Sequence, residues 1–294
     1  MCKAFAAITI LISIGKGLTW SHCGKRFVPP SSSTASACRR IMGGQRSTIE
    51  QHPWMVAMML DSAQACGGSL VAEDWIVTAA HCFDSTLDRL RWRVVAGNDM
   101  PSKAVNTTGV SAIWRHPQYR SNIASLESGP CDYDVALVKL EKSVATTPKT
   151  VPICLVPRDT PRDLKRDCYV AGWGRRSFGG EQSLALREVQ VHMVPRELCN
   201  SANSYGGVIH ERALCAGPRE GGCGPCQFDS GGPLACREGG LWYMYGIVSY
   251  GVGCGVANKF GVYSNMYELT DWVRDTISRH EPNLAQNQNK ASLL

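Results

Sequence analysis

The sequence predicts an all-β domain, cross-linked by disulfides and closed by one helix. Short apolar runs rich in β-branched residues recur along the chain, separated by Gly, Pro, Asn and Asp. That spacing is typical of strands in barrels or sandwiches. A clear helical pattern comes near the end, and the 14 cysteines in 294 residues indicate disulfides formed in an oxidising compartment.

The predicted strands are short apolar segments with polar or glycine-containing flanks. They cover residues 54–60, 75–78, 92–96, 135–140, 168–171, 189–194, 241–248 and 261–263. The closing helix places its apolar residues on one face and its charged residues largely outward, and Pro282 stops it. The apolar residues are Leu269, Trp272, Val273 and Ile277; the outward residues are Asp271, Arg274 and Arg279.

The amino terminus has the pattern of a secretory signal peptide. Lys3 precedes an apolar run over residues 4–14 that is too short to span a bilayer, so residues 1–20 are predicted to be removed. A buried strand or a signal anchor is the alternative. We expect residues 21–40, with their Pro-Pro-Ser-Ser-Ser stretch, to form a flexible pro-segment, and residues 281–294 to form a disordered tail.

The charge pattern does not indicate a nucleic-acid partner. The net charge is +6, and the Lys and Arg residues are scattered rather than clustered, as on a solvated surface. The rest of the sequence also has no apolar run long enough for a membrane span, so a secreted, extracellular protein is predicted. Asn106 begins the sequon Asn-Thr-Thr and is expected to be glycosylated on a surface loop.

Three motifs together indicate nucleophilic catalysis. Ser230 lies within CQFDSGGPL at 226–234, His81 within TAAHC at 78–82, and Asp134 within DYDVAL at 132–137. A serine needs a base to accept its proton, and the base needs an acid to orient it. Taken singly, His81 reads equally well as a buried structural histidine and the glycines as a turn. In this order, the motifs closely resemble the three signatures of the trypsin-like (chymotrypsin-fold) serine proteases.

The resemblance covers roughly residues 40–280 and implies the architecture. It implies two six-stranded antiparallel β-barrels, about 41–150 and 151–265, with the catalytic cleft between them, inside a peptidase domain over 41–280. The sequence RIMGG at 40–44 resembles the activation site of the family. Cleavage after Arg40 would free the α-ammonium of Ile41 to pair with the buried carboxylate of Asp229, so a zymogen is expected.

The resemblance also implies a set of disulfides. Cys23 with Cys154 would tether the pro-segment. The other implied pairs are Cys66 with Cys82, Cys168 with Cys236, Cys199 with Cys215, and Cys226 with Cys254. An alternative is that CGPC at 223–226 is a redox or zinc half-site, but Cys226 is already paired and no second ligand pair is near. No metal or other cofactor is expected.

The residues of the primary specificity pocket depart from the trypsin pattern. Six residues before the serine, where trypsin-like enzymes carry an aspartate, the chain has Gly224. A neutral pocket offers no counter-ion to a buried guanidinium, so Phe, Tyr or Leu should be preferred, as in chymotrypsin. The other expected pocket residues are Pro225, Ser249, Tyr250, Gly251, Gly261 and Tyr263.

Phe228 is the second departure, since the family has glycine there. The resemblance implies that the N–H groups of Phe228 and Ser230 bind the oxyanion. A bulky residue at positive φ costs about 1–2 kcal/mol, so two hypotheses follow. The first is an active endopeptidase that acts on proteins or peptides, is activated by a trypsin-like protease and is inhibited by protein inhibitors. The second is a catalytically weakened pseudoprotease that acts as a binding protein.

Three short segments resemble acrosin, the sperm protease. They lie at 23–27, 198–201 and 251–254. Acrosin has a trypsin-like pocket, which this chain lacks. The resemblance adds a secretory granule or the acrosome to the expected locations.

Overall fold

The computed structural model describes residues 23–28, 44–121 and 131–281. The predicted signal peptide, the Arg40–Ile41 bond and nearly all of the predicted tail lie outside these residues. The described strands are β1 (Gln45–Arg46), β2 (Met55–Leu60), β3 (Ala63–Ala72), β4 (Trp75–Thr78), β5 (Trp92–Ala96), β6 (Thr108–Arg115), β7 (Ala136–Leu140), β8 (Cys154–Leu155), β9 (Cys168–Gly172), β10 (Arg187–Val191), β11 (Met193–Val194), β12 (Ala213–Ala216), β13 (Pro233–Glu238), β14 (Leu241–Tyr250) and β15 (Gly261–Asn265); the α-helices are α1 (Arg196–Cys199) and α2 (Met266–His280).

The first half of the domain is a closed antiparallel barrel of six strands in the order β2-β3-β4-β7-β6-β5. Strands β2 and β4 are almost wholly buried, whereas β6 mixes polar with apolar residues and is mostly half-buried. Trp54, Trp75 and Trp92 are fully buried there. Each such side chain contributes about 1.5–3 kcal/mol by leaving water, so these rings hold the barrel together.

The second half is a curled, nine-stranded half-barrel in the order β1-β10-β9-β13-β14-β15-β12-β11, with β8 paired to β14. The pairings are antiparallel except that between β8 and β14. The predicted all-β, disulfide-linked fold with a C-terminal helix is thereby confirmed. The first predicted barrel has its six strands, whereas the second is a half-barrel of nine strands.

The closing helix α2 contacts both halves of the domain. Leu269, Val273 and Ile277 are buried, as the apolar spacing predicts. Trp272, however, packs against His116, which follows β6 of the first barrel. His280 at the carboxyl end of α2 lies against Trp114 of β6, with ring centroids 4.4 Å apart. The helix therefore fixes the position of one half against the other.

Five disulfides link described cysteines, and they are the pairs that the resemblance implies. They are Cys23–Cys154, Cys66–Cys82, Cys168–Cys236, Cys199–Cys215 and Cys226–Cys254. Cys223 is disulfide-bonded as well, so the two cysteines of CGPC do not form a free dithiol or a zinc half-site. Among the helices of the described residues, none is both long enough and apolar enough to cross a membrane.

Candidate active site

The pairing of β4 with β7 brings His81 and Asp134 together. Thr78, the last residue of β4, lies opposite Ala136, the first residue of β7. His81 follows β4 in a 3-10 turn over Ala80–Phe83, and Asp134 comes two residues before β7. Because antiparallel neighbours place the end of one strand beside the start of the other, both side chains lie at the same barrel edge.

Asp134 holds the His81 imidazole at two points. Its Oδ2 lies 2.7 Å from His81 Nδ1, and its Oδ1 accepts the backbone N–H of His81 at 2.9 Å. Ser249 Oγ donates to the same Oδ2 at 2.5 Å. Since an ionised carboxylate can only accept, Nδ1 carries the proton and Nε2 of the neutral ring keeps its lone pair. That lone pair is what a base requires.

Electrostatics support the same assignment. Burial penalises the charged form of Asp134, but the charge and hydrogen bonds of His81 and the Ser249 hydroxyl outweigh it and lower the pKa of Asp134. Burial likewise works against the imidazolium, yet the charge of Asp134 and its hydrogen bond prevail and raise the pKa of His81. The pair is thus an ionised acid beside a strengthened base. Asp132, the other acid of the motif, faces Arg212 instead, with both carboxylate oxygens bonded at 2.8 Å.

Ser230 is presented by the loop before β13 and is held from both halves of the domain. Its carbonyl accepts the N–H of Gly67 in β3 at 2.8 Å, and the next N–H, that of Gly231, donates to Val248 of β14 at 2.8 Å. Gly231 has φ +83°, and a Cβ there would meet the Gly67 carbonyl oxygen at 2.5 Å. Only glycine fits this crossing of backbones, which explains the residue that follows the serine.

Phe228 occupies left-handed backbone at φ 75°. The predicted strain of about 1–2 kcal/mol therefore applies to this residue. Its ring lies under the Arg175 guanidinium, 5.4 Å from the ring centroid, a cation–π contact that helps to hold it. Among the described residues, no acceptor takes a hydrogen bond from the N–H of Phe228 or of Ser230. Both donors remain available to a ligand.

Asp229 is fully buried. It accepts the N–H groups of Gly174 and Cys226 at 2.7 and 3.0 Å. Burial raises its pKa to about 7, and the two N–H bonds offset only part of that effect. No cation pairs with it within the described part of the chain. A buried carboxylate in this condition suits an incoming positive group.

A cavity of about 260 Å³ opens beside His81 and Ser230. Of the expected pocket residues, Gly224, Pro225, Ser249, Tyr250, Gly251 and Gly261 line it. Tyr263 does not; it is fully buried behind Gly261, where an added Cβ would lie 3.1 Å from the tyrosine oxygen. The described lining contains no carboxylate.

Sequence reasoning missed two kinds of lining residue. Lys259 and Phe260 directly precede Gly261, so chain adjacency could have found them; Phe178 comes from a distant loop, and only the tertiary structure brings it to the cavity. The Lys259 ammonium donates to the Ser204 carbonyl. Ser204 is not among the lining residues, so the argument against arginine rests on the missing carboxylate and not on this ammonium.

The described residues offer no open metal site in this region. His81 lies within ligand distance of Cys66 and Cys82, but those two sulfurs are joined in a disulfide. A disulfide sulfur is not a thiolate ligand.

Comparison with protein families agrees with this geometry. The family model described as Trypsin matches residues 41–273. The chain belongs to the trypsin family. Trypsin-family domains are serine peptidases, so this protein is a trypsin-like serine protease in general class, and protein substrates are indicated. The match begins at Ile41, the residue after Arg40.

Proposed function

We propose that the protein is a secreted serine endopeptidase, made as a zymogen and activated by cleavage after Arg40. The observation that carries the proposal is the bond of 2.7 Å between His81 Nδ1 and Asp134 Oδ2, with His81 and Ser230 lining one cavity. His81 Nε2 takes the proton of Ser230 as its oxygen attacks the substrate carbonyl. The N–H groups of Phe228 and Ser230 bind the oxyanion of the acyl-transfer intermediate. This is the established mechanism of the trypsin family.

Zymogen control follows from Asp229. Its buried carboxylate has a pKa raised to about 7 by burial, and an α-ammonium, with an ordinary pKa near 8, would neutralise it. Only a cut after Arg40 creates that ammonium at Ile41. Because the pocket lacks a carboxylate, the cut is made by another, trypsin-like protease.

Primary specificity follows from the same cavity. An aromatic side chain gains about 1.5–3 kcal/mol on entering an apolar pocket. An arginine would lose its hydration beside Gly224, with no counter-ion in return. We therefore propose Phe, Tyr or Leu before the scissile bond.

The second candidate function is a pseudoprotease that binds a partner protein. The strained backbone of Phe228 favours it, since misaiming one oxyanion donor costs roughly 10²–10³ in rate. Against it, the same positive φ is the one that glycine would adopt, so the N–H is not turned out of the site.

Labelling with an organophosphate separates the candidates. Protein cut after Arg40 should bind one equivalent of the reagent at Ser230, whereas the uncut chain and His81→Ala should not. An Arg40→Gln variant should stay inert after the same protease treatment. If cut protein with a free Ile41 takes up no reagent, the endopeptidase assignment fails and the binding protein remains. Secretion is checked by finding mature protein, without residues 1–20, in culture medium.

A further inference from the structure

The amino-terminal segment 23–28 lies on the catalytic domain in a defined path. Cys23 is bonded to Cys154. Two backbone hydrogen bonds follow, from Gly24 N–H to the Pro152 carbonyl at 2.8 Å and from Trp242 N–H to the Gly24 carbonyl at 2.9 Å. Gly24 has φ +68°, and a Cβ there would lie 2.8 Å from the sulfur of Cys154. The segment is therefore held on the domain surface by contacts additional to its disulfide.

Arg26 enters a socket made by residues of both halves of the domain. Its guanidinium carbon lies 3.8 Å from a ring centroid of Trp242, and 5.6 and 5.7 Å from those of Trp54 and Tyr169. Three aromatic rings around one cation form a recognition cage, because each ring face is negative. The planar guanidinium stacks on such faces better than an ammonium does.

A polar wall completes the socket. Arg26 Nη2 donates to His52 Nδ1 at 3.2 Å, and the opposite ring nitrogen, Nε2, lies 2.5 Å from Glu188 Oε2. His52 is therefore a neutral relay between a cation and a carboxylate: its Nδ1 accepts and its Nε2 donates. Burial lowers the pKa of His52, which agrees with a neutral ring. Both His52 and Glu188 are buried.

Glu188 connects the socket to the start of the peptidase domain. Its carboxylate also accepts Gln45 Nε2 at 2.9 Å and Ser47 Oγ at 3.0 Å. Gln45 begins β1, only a few residues after Ile41. The arginine of the amino-terminal segment and the first strand of the domain thus share one buried carboxylate.

We propose that this socket, formed by Trp54, Tyr169, Trp242, His52 and Glu188, is an arginine-recognition site for the chain's own segment 23–28, and that it holds the segment after cleavage independently of the Cys23–Cys154 disulfide. The biological use rests on the proposed activation cleavage, which leaves the segment as a separate light chain. Retention also keeps the aromatic cage covered.

The test cuts the folded chain without relying on activation. A recognition sequence for a site-specific protease is inserted between Ser33 and Thr34, with Cys23→Ser and Cys154→Ser removing the tether and Ser230→Ala preventing self-digestion. After cutting, the light chain should co-elute with the domain in size-exclusion chromatography. Arg26→Ala should release it at least about 30-fold faster, and Arg26→Lys should give an intermediate rate.

Lys25→Ala is the matched control. Lys25 is the neighbouring cation and is exposed, so its loss should change release less than about twofold. If the segment leaves the Arg26 protein as fast as it leaves Arg26→Ala, the socket is not a docking site. This result is independent of whether Ser230 is catalytic, so the two proposals fail separately.

A second measurement is used if the protein with Cys23→Ser and Cys154→Ser does not fold. The native disulfide is then kept, and hydrogen exchange is followed in the cut protein. Arg26→Ala should speed exchange of the Gly24 and Trp242 amides at least about tenfold, whereas Lys25→Ala should not. Equal exchange in the two variants would overturn the proposal.

Discussion

Replacing Gly224 by aspartate should convert the specificity of this protease. Gly224 lines the cavity, and a Cβ built there meets nothing within 4 Å, so the new carboxylate has room. Its φ of +145° is unfavourable for a side chain and costs of order 1–3 kcal/mol. That strain is the same for every substrate, and it cancels when two substrates are compared on one enzyme.

The magnitude follows from the charge. Leaving one member of a buried ion pair without its partner costs about 3–5 kcal/mol, which corresponds to a change of about 10² to 5 × 10³-fold in kcat/KM. Gly224→Asp should therefore raise the ratio of arginyl to phenylalanyl kcat/KM by about that factor.

The assay compares peptide amides that differ only in the residue before the scissile bond, using enzyme quantified by active-site titration. Gly222→Asp is the matched control, because Gly222 also has positive φ and open space around its Cβ but does not line the cavity. It should leave the ratio unchanged. The reasoning is refuted if the unmodified enzyme already prefers arginine, or if titratable Gly224→Asp enzyme keeps the original ratio.

The remaining predictions concern Phe228, the His81 base and Glu188. Phe228→Gly should raise kcat by as much as roughly 10²-fold if the oxyanion donor is misplaced and tighten protein inhibitors; kinetics and inhibitor titration that both stay unchanged would remove the main support for a pseudoprotease. Because His81 must be neutral to act as a base and Asp134 raises its pKa, kcat/KM should fall as pH drops through a midpoint above 6.5. Asp134→Asn should lower that midpoint and should also lower kcat by about 10⁴-fold, as the equivalent substitution does in this family. An unmoved midpoint would contradict the assignment of Asp134. Despite burial, hydrogen bonds from His52, Gln45 and Ser47 lower the pKa of Glu188 to about 2 from 4.5. This carboxylate therefore adds about 3 kcal/mol to the free energy of unfolding above pH 4.5, and that contribution is lost as pH falls toward 2. Denaturant unfolding at a series of pH values should show that Glu188→Gln lacks this pH-dependent contribution, and parallel acid profiles for both proteins would refute it.

Local patterns predicted the strands whose residues are apolar and β-branched. The prediction for residues 75–78 and 92–96 coincides with β4 and β5. Strands β3 and β6 were missed. β3 contains the pair Gly67-Gly68, and β6 mixes polar with apolar residues, so neither has a strong strand signal. Their pairing in the closed barrel, rather than their own propensity, makes them strands.

The family and the identity of the candidate triad were readable from the chain, because a serine nucleophile needs particular neighbours in sequence: glycine after Ser230, and an acid before it. Chemistry at those positions leaves a local signature. The sequence likewise indicated a neutral pocket through the single position Gly224.

Only the tertiary structure decided what lies around these residues. The contact of Phe178 with the cavity depends on a loop distant in sequence, and Tyr263 lies behind the pocket wall because of how β15 packs. The Arg26 socket left no sequence signal at all. Its five components come from four separate parts of the chain, and a cation cage arises from where side chains meet in space, which no local pattern records.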